Sequence, residues 1–153
     1  MRRNGVLAGL AALAATVTLV PAADGAVKRG AFAGTTSEDK PLRFKVDRRG
    51  RVHSFHFERV TLTCTDGDTV TTPAVDVPAR ERFGVRRNRF GIRARNDATG
   101  FGWDAEGRFR NRGRRATGTL RVFATFNERG EQDAAGAIRC TSEPLTWTAR
   151  RGG

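Results

Sequence analysis

Short segments of alternating apolar and polar residues run through most of the chain, separated by turn signals built from Gly, Asn and Asp. This period of two is typical of β-strands with one buried face, and no helical period follows residue 26. Successive strands joined by tight turns favour an antiparallel meander. The pattern therefore predicts an all-β fold of about eight or nine strands that form a small barrel or sandwich.

The clearest strand signal lies in residues 52–68. Its apolar residues have odd numbers at Phe55 and Phe57 and even numbers from Val60 to Cys64. Because neighbouring residues of a strand point to opposite faces, such a switch requires an extra residue or a bend. We therefore predict a β-bulge or bend near Glu58 and Arg59.

The same alternation places the other strands and turns. Small residues alternate along 116–126, which indicates close packing inside a curved sheet. Residues 78–84 are predicted to form a loop, and residues 104–107 a turn between two short strands. The remaining strands are predicted at 31–35, 42–46, 69–77, 90–95, 101–103, 108–110, 116–126, 137–140 and 145–149.

The first 26 residues have the organisation of a helical signal peptide. Two arginines near the start precede an uncharged run over residues 6–20, which is shorter than the roughly 20 residues of a membrane-spanning helix. Small residues then allow cleavage after Ala22 or Ala26. We predict Sec-type export, a secreted or extracytoplasmic location, and a single β domain over residues 27–153 without a transmembrane segment.

The two cysteines, Cys64 and Cys140, both continue the apolar face of a predicted strand. In an exported chain, a pair of inward-facing cysteines most simply forms one disulfide bond. A metal site would need further ligands, and a catalytic thiol would need a histidine that the sequence does not place nearby. We therefore predict a structural Cys64–Cys140 disulfide.

The chain is strongly basic, with a formal net charge of +12. Twelve arginines and four acidic residues lie between Arg80 and Arg115. Alternate arginines of antiparallel strands project from one face, and such a face attracts phosphate-rich polymers or anionic headgroups. The alternative is a solvated surface in an arginine-rich protein. The predicted anion-binding residues are Arg86, Arg87, Arg89, Arg93, Arg95, Arg108 and Arg110.

No motif for catalysis or cofactor binding stands out. His53 and His56 are three residues apart, so on a regular strand their rings point to opposite faces, although His56 and Glu58 share one. No serine lies in a Gly-x-Ser-x-Gly motif, and neither a Walker loop nor a dinucleotide fingerprint is present. We expect no catalytic residues, no metal and no cofactor.

Several short sequences resemble those of a known group. They are Gly-Ala-Phe-Ala-Gly-Thr-Thr-Ser at 30–37, a Phe-x-Val, a cysteine just before Asp-Gly, Ala-Thr-Gly-Thr-Leu at 116–120, a second cysteine, and Trp-Thr-Ala-Arg at 147–150. Together they resemble uncharacterised small exported β-rich proteins of high-GC Gram-positive bacteria. The resemblance implies an exported β-fold and carries over no activity or functional residues.

The sequence favours a non-enzymatic exported β-domain, a monomer that acts by surface binding at the cell envelope or outside the cell. A more specific alternative is an anion or polyanion binder, with an anionic envelope polymer or nucleic acid as its partner. Another alternative is a secreted inhibitor of a protease or other enzyme, which would present a loop such as residues 77–84.

Overall fold

The computed structural model describes residues 27–152, which form strands, turns and connecting segments. The predicted signal peptide and both of its cleavage sites lie outside the described residues. In the described part of the chain, no helix has the length and apolar character needed to cross a membrane.

Twelve strands lie within the described residues. They are β1 (Gly30–Thr36), β2 (Pro41–Val46), β3 (Val52–Phe57), β4 (Thr61–Cys64), β5 (Thr69–Thr71), β6 (Val75–Asp76), β7 (Arg82–Phe83), β8 (Arg89–Asn96), β9 (Phe101–Arg110), β10 (Arg115–Phe126), β11 (Ile138–Thr141) and β12 (Leu145–Arg151).

All strand pairs are antiparallel, and β10 is the centre of the sheet. Along one path the order is β5-β4-β11-β10-β12-β1-β2-β3-β6, and β7 also pairs with β3. On its other edge β10 pairs with β9, which in turn pairs with β8. The hairpins β1–β2, β2–β3, β4–β5, β8–β9 and β9–β10 thus join strands that are neighbours in sequence.

The predicted all-β antiparallel class is confirmed. Within residues 27–152, strands β5, β6, β7 and β8 each pair on one side only, so strand pairing does not close the sheet into a ring. Closure into a barrel or sandwich therefore stays a prediction. The predicted number of strands was too low, because residues 52–64 and residues 69–77 each form two strands, and residues 82–83 form one more.

The bend predicted at Glu58 and Arg59 is confirmed. Strand β3 ends at Phe57 and β4 begins at Thr61, and between them Arg59 has a left-handed φ of 48°. The two strands also have different partners, since β3 pairs with β2 whereas β4 pairs with β11. The change in apolar parity thus marks the place where one long strand divides between two regions of the sheet.

Two other predictions were wrong. Residues 101–110 form one continuous strand, because Asp104 pairs in register with Arg93 of β8 and Arg121 of β10 rather than forming a turn. Residues 78–84 are not entirely a loop, because β7 pairs with β3. In both places the sequence favoured turns locally, and pairing with other strands determined the structure.

A cluster of aromatic rings fills the core. Phe44 stacks on Phe32 with ring centroids 4.9 Å apart, and Phe55 stacks on Trp103 at 5.6 Å. The indole N–H of Trp147 donates a hydrogen bond to the carbonyl of Thr119 at 3.1 Å, which satisfies the polar atom of a buried ring. The inward faces of the strands thus supply one continuous hydrophobic core.

The small residues of β10 make room for this core, as their alternation predicted. Gly118 pairs with Gly107 on one side and with Trp147 on the other. A Cβ at Gly118 would collide with the carbonyl of Glu106 and with the Trp147 indole. This position therefore requires glycine because a ring and a neighbouring backbone both approach it closely.

The predicted disulfide between Cys64 and Cys140 is confirmed. The two cysteines are direct partners in the ladder between β4 and β11, and both are buried, with exposures of 8% and 1%. That ladder contains just one further pair, Thr63 with Thr141. The disulfide thus holds β4 to β11 where backbone pairing is short.

Asp47 organises the hairpin between β2 and β3. One carboxylate oxygen accepts hydrogen bonds from the backbone N–H groups of Arg49 at 2.8 Å and Arg51 at 2.9 Å. The other accepts from the side chains of Arg51 and Arg82, at 2.9 and 3.1 Å. The pKa of Asp47 is lowered to about 2, mainly by the Arg51 backbone N–H, while desolvation opposes this change.

This carboxylate predicts a pH dependence of folding. Because the folded-state pKa is below the unfolded value, Asp47 adds stability above pH 3.8 that is lost as pH falls through about 2. In Asp47→Asn the side-chain oxygen remains as an acceptor but the charge is gone. Urea unfolding should show that the stability difference between wild type and variant grows as pH rises through this window. A difference independent of pH would contradict the assignment.

Candidate anion-binding site

Three arginines face one another across neighbouring strands at one end of the sheet. Arg110 of β9 is the direct partner of Arg115 of β10, which in turn is the direct partner of Arg150 of β12. Phe109 and Ala116, which precede and follow them in the chain, are buried in the core. Because successive side chains alternate between faces, all three arginines lie on the outer face. We call these residues the arginine row.

The row places like charges where cross-strand repulsion is strongest. Residues directly opposite on antiparallel strands have Cβ atoms about 4.5–5.5 Å apart, and like charges at such positions are destabilising. Among residues 27–152, no carboxylate lies within 4.0 Å of a guanidinium nitrogen of the row. The fold therefore holds three unneutralised cations side by side.

Arg115, at the centre of the row, has an unusual environment. In the described part of the chain, its Nε is the one buried side-chain nitrogen or oxygen that has no hydrogen-bond partner. A buried donor without an acceptor costs about 1–3 kcal/mol, so such groups are rare in native proteins. This N–H group is therefore a candidate donor to a ligand.

A concavity of about 650 Å³ lies beside the row, and none of its described wall residues is acidic. The turn between β9 and β10 has three consecutive residues with left-handed φ, Asn111, Arg112 and Gly113, and the first two of them line the concavity. The carbonyl of Arg114 accepts a 2.9 Å hydrogen bond from the backbone N–H of Arg151, which fixes the end of β12 against this turn. The walls are Asn111, Arg112, Arg114, Arg115, Arg150 and Arg151.

We define the arginine cluster as the row together with Arg112, Arg114 and Arg151. Arg110 of the cluster also lines a second concavity of about 500 Å³ on the same outer face. There Arg89 is the direct partner of Arg108, and the neighbouring Thr117 of β10 adds a hydroxyl group. Glu106 is the single acid among the described residues of that wall. Positive charge thus continues from the cluster along β9.

The seven predicted anion-binding arginines occupy different settings. Arg89, Arg108 and Arg110 lie together in the second concavity. Arg93 and Arg95 instead form ion pairs with Asp104 at 3.3 and 3.1 Å, so a carboxylate already partly neutralises them.

Arg95 also lies over the ring of Phe123, 4.1 Å from its centroid, which adds a cation–π contact. Arg87 lines another concavity of about 490 Å³ with Arg48 and Arg49, and Arg86 forms an isolated backbone bridge with Arg89. The predicted set thus contributes one member, Arg110, to the arginine cluster.

Sequence reasoning missed most of the cluster. Arg112, Arg114 and Arg115 lie inside the basic region but were not selected, and Arg150 and Arg151 lie outside it. The alternation of β12 does place Arg150 on the polar face. The signal that was missing is the pairing of β12 with β10, which brings together residues that are distant in the sequence.

The histidines are arranged differently. His56 is 4% exposed, and its Nδ1 and Nε2 contact Asp76 at 2.6 Å and Glu58 at 3.0 Å. Both ring nitrogens therefore have carboxylate partners. His53 contacts the hydroxyl of Ser54 at 3.0 Å. Within residues 27–152, no group of three or more His, Cys, Asp or Glu residues has the geometry of a metal site.

The segment considered as an inhibitory loop is short. Val77 is buried at its start, and Arg82 and Phe83 pair with β3 near its end. Between them, the backbone N–H of Glu81 donates to the carbonyl of Pro78 at 3.0 Å, forming a tight turn. Only residues 78–81 therefore remain between the buried and the paired positions, which is short for a protruding inhibitory loop.

Comparison with protein-family models, with curated proteins and with solved structures finds no match to this chain. The site must accordingly be interpreted from its own geometry.

Proposed function

We propose that this protein is a non-enzymatic exported domain that binds polyanions through the arginine cluster, at the cell envelope or outside the cell. The observation that carries the proposal is the arginine row, three directly opposed cations without a carboxylate partner in the described residues. The disulfide is compatible with an extracytoplasmic location, because such bonds persist in oxidising compartments.

The physical basis is electrostatic. Cations held close together repel one another, and an anion placed between them converts the repulsion into attraction. Arginine suits this role because its charge persists at all physiological pH values and its planar guanidinium donates paired hydrogen bonds to phosphate or carboxylate oxygens. A polyanion also releases its condensed counterions on binding, which makes the affinity depend on salt.

The extent of the surface favours a polymer over a small anion. Alternate residues of a strand are about 7 Å apart and neighbouring strands about 4.8 Å apart, so the cluster and the Arg89–Arg108 pair span several repeats of a charged chain. Thr117 supplies a hydroxyl donor between them. An anionic envelope polymer or a nucleic acid has the required chemistry.

A triple variant tests the proposal. Arg112→Gln, Arg114→Gln and Arg150→Gln together should weaken binding to heparin and to a single-stranded oligonucleotide by about 10- to 100-fold at low salt. The slope of log affinity against log salt should become shallower by about two to three, since each lost phosphate contact contributes about 0.7–0.9. Fluorescence anisotropy across a salt series measures both quantities.

The matched control removes the same charge elsewhere. Arg59, Arg129 and Arg139 are exposed and lie outside the cluster, so their replacement by Gln should change the affinity by less than about threefold. Equal losses in the two triple variants would show that net charge alone drives binding, and the proposal would then be wrong.

A further inference from the structure

We propose that the arginine row is a discrete site for a phosphomonoester dianion, such as the terminal phosphate of a polymer or free inorganic phosphate. This inference rests on the proposed function and deepens it: the cluster attracts the polyanion, and the row recognises the end of it. Two observations support it: Arg110, Arg115 and Arg150 are in direct register on neighbouring strands, and the Nε of Arg115 has no hydrogen-bond partner.

The spacing of the row suits a tetrahedral group. Neighbouring strands are about 4.8 Å apart, so the outer two arginines leave the backbone about 10 Å from each other with Arg115 midway between them. Arginine side chains are long enough for three guanidinium groups to converge over the central strand. A tetrahedral phosphate offers several oxygens in different directions, whereas a carboxylate offers two in one plane.

Arg115 provides the specific contact. A bidentate arginine–phosphate pair commonly uses two parallel N–H donors, and the Nε–H of Arg115 is a donor that the folded protein leaves unused. An acceptor oxygen at this atom would remove the desolvation cost that an unpaired buried group carries. The outer arginines, Arg110 and Arg150, are exposed, so water already accepts their hydrogen bonds and a ligand brings no comparable gain there.

Charge selects the monoester over the diester. An internal phosphodiester carries one negative charge, while a phosphomonoester carries about −1.5 to −2 at pH 7 because its second pKa is about 6. Three clustered cations without a carboxylate partner in the described residues interact more strongly with the second charge. The row should thus distinguish a chain end from the chain interior.

The test compares one oligonucleotide with and without a 5′-phosphate, binding to the wild-type protein in fluorescence anisotropy. We expect the phosphorylated form to bind about tenfold tighter at pH 7.5, and the preference to shrink towards pH 5, where the second proton is bound. Equal affinities at pH 7.5 would overturn the site. If both oligonucleotides nevertheless bind in a salt-dependent way, the proposed polyanion binding is still supported.

Two lysine variants separate position from charge. Arg115→Lys keeps the charge but loses the forked donor, so we expect the preference for the phosphorylated form to fall to about twofold or less, with the larger loss of affinity in the phosphorylated form. Arg112→Lys, in the cluster but outside the row, should retain the preference. The inference is wrong if the two variants behave alike. If Arg115→Lys does not fold, the exposed Arg150→Lys serves instead, with at least a threefold loss of preference expected.

Inorganic phosphate distinguishes the two sources of the dianion. If the row binds a free dianion, phosphate should displace the phosphorylated oligonucleotide more effectively than chloride at equal ionic strength. If the polymer end is required, phosphate and chloride should act alike while the tenfold preference persists. Either result supports the site and identifies its ligand. Phosphate that displaces both oligonucleotides to the same extent, and more effectively than chloride at equal ionic strength, would contradict it.

Discussion

Replacing both Cys64 and Cys140 by alanine should lower the free energy of unfolding by about 3–4 kcal/mol. The bond joins residues separated by 76 positions, so its loss lets the unfolded chain explore many more conformations. The effect on the folded state adds to this, because only one other residue pair connects β4 to β11. Urea unfolding, followed by far-ultraviolet circular dichroism, measures the change.

The neighbouring pair of the same ladder provides the control. Thr63→Ala with Thr141→Ala removes side chains at the adjacent register position but leaves the cross-link intact. We expect this double variant to lose less than about 1 kcal/mol, as is usual for exposed strand positions. A loss below about 1 kcal/mol for the cysteine variant as well would show that the disulfide is dispensable for stability.

Gly118→Val should be still more damaging, with a loss of more than about 4 kcal/mol or no folded protein at all. The added side chain would meet the Glu106 carbonyl on one side and the Trp147 indole on the other. Neither can move freely, because Glu106 belongs to a paired strand and Trp147 is buried and hydrogen-bonded to Thr119. Soluble yield and urea unfolding report the outcome.

Gly91→Ala is the matched control for this strand glycine. A Cβ at Gly91 of β8 meets no other atom within 4 Å, and the residue does not have a left-handed φ. Its replacement should change stability by less than about 1 kcal/mol, and the restriction that alanine places on the unfolded chain favours a gain. If Gly118→Val were equally mild, the close packing of β10 on β9 and β12 would be disproved.

The sequence predicts well the features that depend on local alternation of apolar residues or on the pairing of the two cysteines. The alternation at Phe55, Phe57 and the residues from Val60 to Cys64 predicts both a strand and its bend, because inward positions must stay apolar on each side of the break. The disulfide follows from two inward cysteines in a chain that is predicted to be exported. Both depend on which way a side chain points, a property of the strand itself.

The features that it misses depend on which strands become neighbours. Asp104 lies in a turn-like sequence, yet it is stabilised in a strand by Arg93 and Arg95 of β8. The arginine row requires β12 beside β10, and Arg150 is outside the basic region in sequence. Register between distant segments is set by the packing of the entire core, so local patterns carry little information about it.

Ser142, between β11 and β12, marks the place where the pairing partner along one edge of β10 changes from β11 to β12. Ser142 is buried, and its hydroxyl accepts a hydrogen bond from the N–H of Val122 at 2.9 Å. Before this residue β11 pairs with β4, and after it β12 pairs with β1. Short ladders open at lower free energy than long ones, so amide exchange in β4 and β5 should proceed by sub-global opening. The arginine cluster lies at the other end of β10, where β9 and β12 pair with it, so we expect its geometry to be unaffected by such opening and by reduction of the cysteines.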